Sequence, residues 1–147
     1  MKNTDENKVA HLGLIQDVIA RMARNSFLLK GWAVTLVAAL FALASVDTHE
    51  EFAFLALLPA ITFWGLDAYF LRQERLFRKL YDGVRVNTAD TLDDPFSMDT
   101  SPYSIEVASL LTTPGTPTLL AFHGSVLTAV VIGIVVLATQ GGEISQC

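Results

Sequence analysis

Three ionisable side chains stand inside otherwise apolar stretches, and they carry most of the chemistry this sequence offers. Lys30 lies about four residues into the stretch 27–46, Asp67 about four before the end of 52–71, and His123 about five into 118–139. An ammonium, a carboxylate and an imidazole at one depth suit two tasks. They can line a path for ions or protons, or they can clip helices together as a Lys30–Asp67 ion pair with His123 donating or accepting nearby. A lone charge in such surroundings costs a few kcal/mol, roughly 2.5–3.5 on insertion scales, and pairing removes part of that. The far half of every stretch lacks a charged residue. A relay would therefore have no partners beyond this single layer, and the clip is the simpler account.

Other constellations are weaker. There is no Gly-rich phosphate loop, no Ser–His–Asp arrangement in a suitable context and no pocket pair of carboxylates. His11 and His49 are lone histidines in polar surroundings without a metal-spaced companion, and solvation explains both. Asp90, Asp93, Asp94 and Asp99, with Pro95 and Pro102, form an acidic linker that could dock a basic partner surface. The only cysteine, Cys147, cannot make an internal disulfide. The expectation is a protein with no catalytic residue, no metal and no cofactor.

The elements that hold these groups are set by the cations. All ten Lys and Arg fall in two clusters: Lys2, Lys8, Arg21, Arg24 and Lys30, then Arg72, Arg75, Arg78, Lys79 and Arg85. Each borders an apolar stretch, while the connection Val46–Glu51 has no basic residue and three acidic ones. Basic flanks are retained on the cytoplasmic side of a membrane. The pattern predicts an all-α integral membrane protein: a transmembrane hairpin of two long helices extended into the cytoplasm, plus a third transmembrane helix. Apolar residues make up 52% and charged residues 17%, with a mean hydropathy of +0.44. A soluble domain carries nearer a quarter charged residues. No Lys or Arg lies in 86–147, which leaves no dense basic surface for nucleic acid.

Along the chain, 1–26 reads as a cytoplasmic amphipathic helix, with Val9, Leu12, Ile15, Ile19 and Met22 at spacings of three and four. These opening residues do not read as a secretory signal. A first span, 27–46, has a small-residue stripe at Ala38, Ala42 and Ser45. After an external turn at 47–51, a second span covers 52–71, where Pro59 should open one backbone hydrogen bond and kink the helix. The helix then continues through 72–86 into the cytoplasm, where Leu76, Phe77 and Leu80 would meet Ile15, Ile19 and Met22. The region 87–117 is the acidic linker with a short helix at Ser104–Leu111, capped by Ser101 or Ser104 and carrying Ile105, Ala108 and Leu111 on one face. The third segment, 118–139, either crosses fully, leaving 140–147 outside, or re-enters. Within it Ser125 and Thr128 lie near one stripe, suited to helix packing or, in a symmetric oligomer, to lining a narrow pore.

Two stretches, Arg24–Trp32 (RNSFLLKGW) and Phe63–Arg75 (FWGLDAYFLRQER), resemble small prokaryotic membrane proteins encoded near defence signalling genes. The layout over roughly 8–86, two spans followed by a charged cytoplasmic helix, is similar to the SLATT class. The third segment departs from that two-span pattern. The resemblance implies a homo-oligomeric, pore-forming or membrane-depolarising effector in antiviral defence. It would sit in the cell inner membrane with its N-terminus cytoplasmic and be triggered through a soluble cytoplasmic sensor or enzyme. The alternative is a non-conducting anchor that recruits a soluble enzyme to the inner leaflet. Besides lipids, the expected partners are further copies of the chain and that soluble protein; nucleic acid is not expected.

Overall fold

From Lys2 to Val46 the chain contains no proline, and it forms one 45-residue helix, α1. At 1.5 Å per residue such a helix is about 68 Å long, more than twice the ~30 Å of a bilayer's hydrocarbon core. This is a computed structural model, and it describes residues 2–46, 51–86 and 96–144. The expected external turn lies mostly outside the described residues, as do Asp90, Asp93, Asp94, His49 and Cys147.

A short helix, α2, covers Glu51–Leu55, and α3 follows at Leu57–Val86. They are separated only by a turn at Ala56, which lies three residues before Pro59. The proline has no N–H to give to Leu55, four residues back, and its ring crowds that carbonyl. The Ala56 N–H bridges the interruption by donating to Phe52 O at 3.2 Å and Ala53 O at 3.3 Å, and Ala60 N donates to Ala56 O at 3.3 Å. The last helix, α4, runs from Pro117 to Ile144. Its first residue is the one helical position where a missing N–H and a fixed φ are harmless. Three stretches of helix, Asp5–Ser45, Phe52–Val86 and Pro117–Thr139, are long and apolar enough to cross a membrane.

The chain divides into two compact units, Met1–Ser26 with Tyr69–Thr113, and Phe27–Ala68 with Pro114–Cys147. In the first, Ile15, Leu80 and Val84 are buried together, with Leu12, Ile19, Phe77, Tyr81 and Tyr103 packed against them. Leu76 is buried and Met22 half-buried. Burying each aliphatic side chain contributes about 1.5–3 kcal/mol before entropy is charged. The buried face of α1 here is His11, Ile15 and Val18, whereas Val9 is 70% exposed. Val9 therefore does not join the packed face that its spacing suggested.

The helix expected at Ser104–Leu111 does not form. A 3-10 turn occupies Ser101–Tyr103, and turns follow at 104–106 and 110–112 with irregular chain between them. Ile105 and Leu111, expected on one packed face, are 94% and 92% exposed, and Val107 is the buried residue instead. Local hydrogen bonding explains this. Ser109 O accepts from the N–H groups of Thr112 and Thr113 and from both threonine hydroxyls. Ser and Thr at such positions compete with a helical ladder, and eight residues are too few to resist them without a packing face.

In the second unit the core is made of Val37, Ala56, Ala60 and Val130, with Leu40, Phe41, Leu57, Val126, Leu127 and Ile134 against it. Ala33, Ala44, Ala53 and Ala68 are also buried. A core so rich in alanine draws helix backbones close together.

Candidate functional site

The second unit brings Lys30, Asp67 and His123 to one point, from α1, α3 and α4. Asp67 is fully buried and His123 is 2% exposed. Lys30 Nζ lies 2.6 Å from Asp67 Oδ2, and His123 Nε2 lies 2.8 Å from the same oxygen. Because Oδ2 accepts from the ammonium, His123 donates to it through Nε2. The other ring nitrogen, Nδ1, is buried and has no hydrogen-bond partner among the described residues. A neutral ring with its proton on Nε2 leaves only an acceptor unsatisfied, and buried acceptors tolerate this better than donors do.

Aromatic groups wall the three in. Trp64 sits one turn before Asp67 on α3, which places it on the same face. Its indole is stacked on the His123 ring with centroids 6.1 Å apart and planes 6° from parallel. The indole N–H is satisfied by Pro114 O at 3.2 Å, just before α4 begins. Phe122 meets His123 edge-on at 5.1 Å, and Lys30 Nζ lies 5.9 Å from the Phe122 centroid, within cation–π range. Composition alone marks Trp64 only as an aromatic in the second half of the stretch 52–71. The signal that it joins the site is its i,i+3 spacing to Asp67.

Chemically this is an ion pair with a third ligand. It ties three helices through one carboxylate oxygen, and each single loss leaves a buried polar group exposed to apolar surroundings. It offers no continuing path. Residues 31–46, 52–66 and 124–142 contain no ionisable side chain. Among the described residues, no three His, Cys, Asp or Glu come together as a metal would require.

Ala38, Ala42, Ser125 and Thr128 are not brought into the core. All four are exposed in the single chain, and so is Ser45. The hydroxyls of Ser125 and Thr128 are returned to their own helix, at Phe122 O (2.7 Å) and Gly124 O (2.8 Å). Such internal satisfaction lets a hydroxyl face an apolar neighbour at little cost.

In the first unit, His11 departs from its expected solvation. It is 1% exposed, its Nε2 is 3.0 Å from Ser97 O, and its ring meets Phe96 at 5.8 Å. The imidazole thus anchors the linker at Phe96 and Ser97 to α1. A signal was available: His11 lies four residues before Ile15 and seven before Val18, on the buried stripe. Asp99, the described member of the acidic linker, accepts from Ser101 N at 2.9 Å. The Ser101 side chain and backbone hold its carboxyl below the usual carboxylate range. No protein-family model, curated protein or solved structure matches this chain.

Proposed function

We propose that this protein is a multi-pass membrane effector that works as an oligomer and depolarises or permeabilises the membrane when a cytoplasmic partner triggers it. The observation that carries the membrane part is an inverted distribution of polarity in the second unit. Phe27, Trp32, Leu58 and Ile61 are each more than half exposed, whereas Asp67 and His123 are buried. In water that arrangement loses on both sides, because apolar area stays wet and charge is desolvated. In lipid both choices are favourable.

With the cationic clusters on the cytoplasmic side, α1 and α3 cross the membrane in opposite directions, α4 makes the third crossing, and the N-terminus is cytoplasmic. The small residues left outward on α1 and α4, Ala38, Ala42, Ser125 and Thr128, support contact with further copies. Such faces let helices approach closely, or line a narrow path once copies assemble. Gating of this kind needs two packings of similar energy and no reactive group. The resemblance of Arg24–Trp32 and Phe63–Arg75 to SLATT-class proteins supplies the setting, a prokaryotic defence system in the inner membrane. Asp90, Asp93, Asp94 and Asp99 are the segment for the soluble partner.

Reconstitution into dye-loaded liposomes tests the proposal. Purified oligomer should release an ion gradient, alone or after its partner is added. An oligomer that passes no ions with the partner present would replace the effector with a non-conducting anchor. A strict monomer would remove the pore.

A further inference from the structure

Among the described residues, the two most exposed large apolar side chains lie in one segment that the function above does not use. Ile105 is 94% exposed, Leu111 92% and Leu110 47%. Scattered single apolar residues on a surface need no explanation, but three within seven positions do. Nor is this a slack loop. Lys79 Nζ holds Glu106 Oε2 at 3.0 Å, Arg72 Nε donates to Ala108 O at 3.2 Å, and Val107 between them is buried. Ser109 O then gathers four donors from Thr112 and Thr113. The segment is tied through the Glu106 side chain and through the backbone carbonyls of Ala108 and Ser109, and the side chains of Ile105 and Leu111 are what the ties leave outward.

The location is informative. Arg72 is the first cation after the apolar run 52–71, so a carbonyl bonded to it belongs at the level where lipid headgroups begin. Leu111 stands six residues before Pro117, which opens the third long apolar helix. The charges along 96–116 are Asp99 and Glu106, with no Lys or Arg; Glu106 is paired with Lys79 and Asp99 is engaged by Ser101. Such a segment has nothing to offer anionic headgroups and much to offer acyl chains.

We infer that residues 105–111 form a lipid-seated loop, with Ile105, Leu110 and Leu111 entering the headgroup–acyl boundary of the cytoplasmic leaflet. It rests on the membrane-spanning reading. Its role is to fix the first unit against the bilayer by apolar contact, independent of lipid charge.

The test uses the full chain in phosphatidylcholine vesicles, with its single cysteine replaced (Cys147→Ser). An environment-sensitive fluorophore is placed by Ile105→Cys or Leu111→Cys. Two controls run beside them. Gly13→Cys reports water, since Gly13 is exposed and an added Cβ meets nothing within 4 Å; Val131→Cys, on half-exposed α4, reports the span. Labels at 105 and 111 should lose emission to lipids brominated high on the acyl chain, resist aqueous iodide, and behave alike in neutral and anionic vesicles. If they follow the Gly13 label while the Val131 label is still quenched by bromolipid, the loop inference is overturned and the spans stand. Shielding from both quenchers would show a protein surface covering the loop, and also overturns it. A Val131 label untouched by bromolipid would sink the membrane reading itself.

Discussion

Asp67→Asn removes one charge and keeps the shape of the side chain, so it isolates what the shared carboxylate contributes. The wild-type oxygen accepts from Lys30 at 2.6 Å and from His123 at 2.8 Å, and no part of Asp67 is exposed. Truncating one partner of a buried ion pair costs about 3–5 kcal/mol when the remaining charge is trapped. Lys30 is not trapped, because its side chain is 22% exposed and its stem can turn the amine toward headgroups. The expected loss for Asp67→Asn is therefore nearer the ~1.5–3 kcal/mol of a charge-assisted hydrogen bond. Asp67→Leu, which also strands the His123 N–H, should reach about 3 kcal/mol or more, roughly a hundredfold in the unfolding equilibrium. Lys30→Met combined with Asp67→Asn should show a coupling of about 0.5–3 kcal/mol. The reciprocal exchange Lys30→Asp with Asp67→Lys should recover only part of the loss, since His123 then faces an ammonium. Reversible unfolding in bicelles by steric trapping reads all four. An Asp67→Asn protein within ~0.5 kcal/mol of the parent, the range of an ordinary surface change, would refute the claim that this carboxylate ties three helices.

Two glycines of α4 should respond oppositely. A Cβ at Gly133 would meet Phe41 Cε1 at 2.5 Å and Cζ at 2.8 Å, whereas at Gly124 nothing lies within 4 Å. Gly133→Ala should then destabilise by about 1–3 kcal/mol as Phe41 is pushed from its place in the core, and Gly124→Ala should gain up to ~1 kcal/mol of helix propensity. The same bicelle assay checks both, and equal effects would contradict the packing. Asp99 titrates below the usual carboxylate range because Ser101 hydrogen bonds favour its charged form. Its contribution to the turn at 99–103 is thus present at neutral pH and lost as pH falls through that depressed value. A carboxyl-carbon NMR titration should give a midpoint below that of a solvated aspartate, and Ser101→Ala should move it upward.

How much of this was legible follows from which interactions are local. The positions of Lys30, Asp67 and His123 relative to the ends of their apolar stretches follow from counting residues at 1.5 Å each, so that they share a depth could be read directly. That all three converge on one oxygen, with Trp64 stacked over the imidazole, depends on the rotation of each helix about its axis. Rotation is set by packing between distant segments, and no local pattern encodes it. The break before Pro59 was readable because a missing N–H acts within one turn. The burial of His11 was half-readable from its register with Ile15, but its acceptor, Ser97 O, comes from 86 residues away. Gly83 illustrates the same division. In sequence it is a weak helix position, yet a Cβ there would collide with the Tyr103 hydroxyl, so its lack of a side chain makes room for the returning chain.

Residues 104–111 failed in the opposite direction. Their spacing fits a helix, but the Ser109 carbonyl collects its donors from Thr112 and Thr113, and Arg72 and Lys79 bind the segment from a helix far back in the chain. By itself the sequence determined the helical class, the lengths of the apolar stretches, the two cationic borders and the places of Lys30, Asp67 and His123 within those stretches, because each depends on composition and residue order. Tertiary structure alone decided which faces meet, which oxygen three helices share, and which apolar side chains are left outside. Those outcomes depend on side chains from separate helices competing for the same volume.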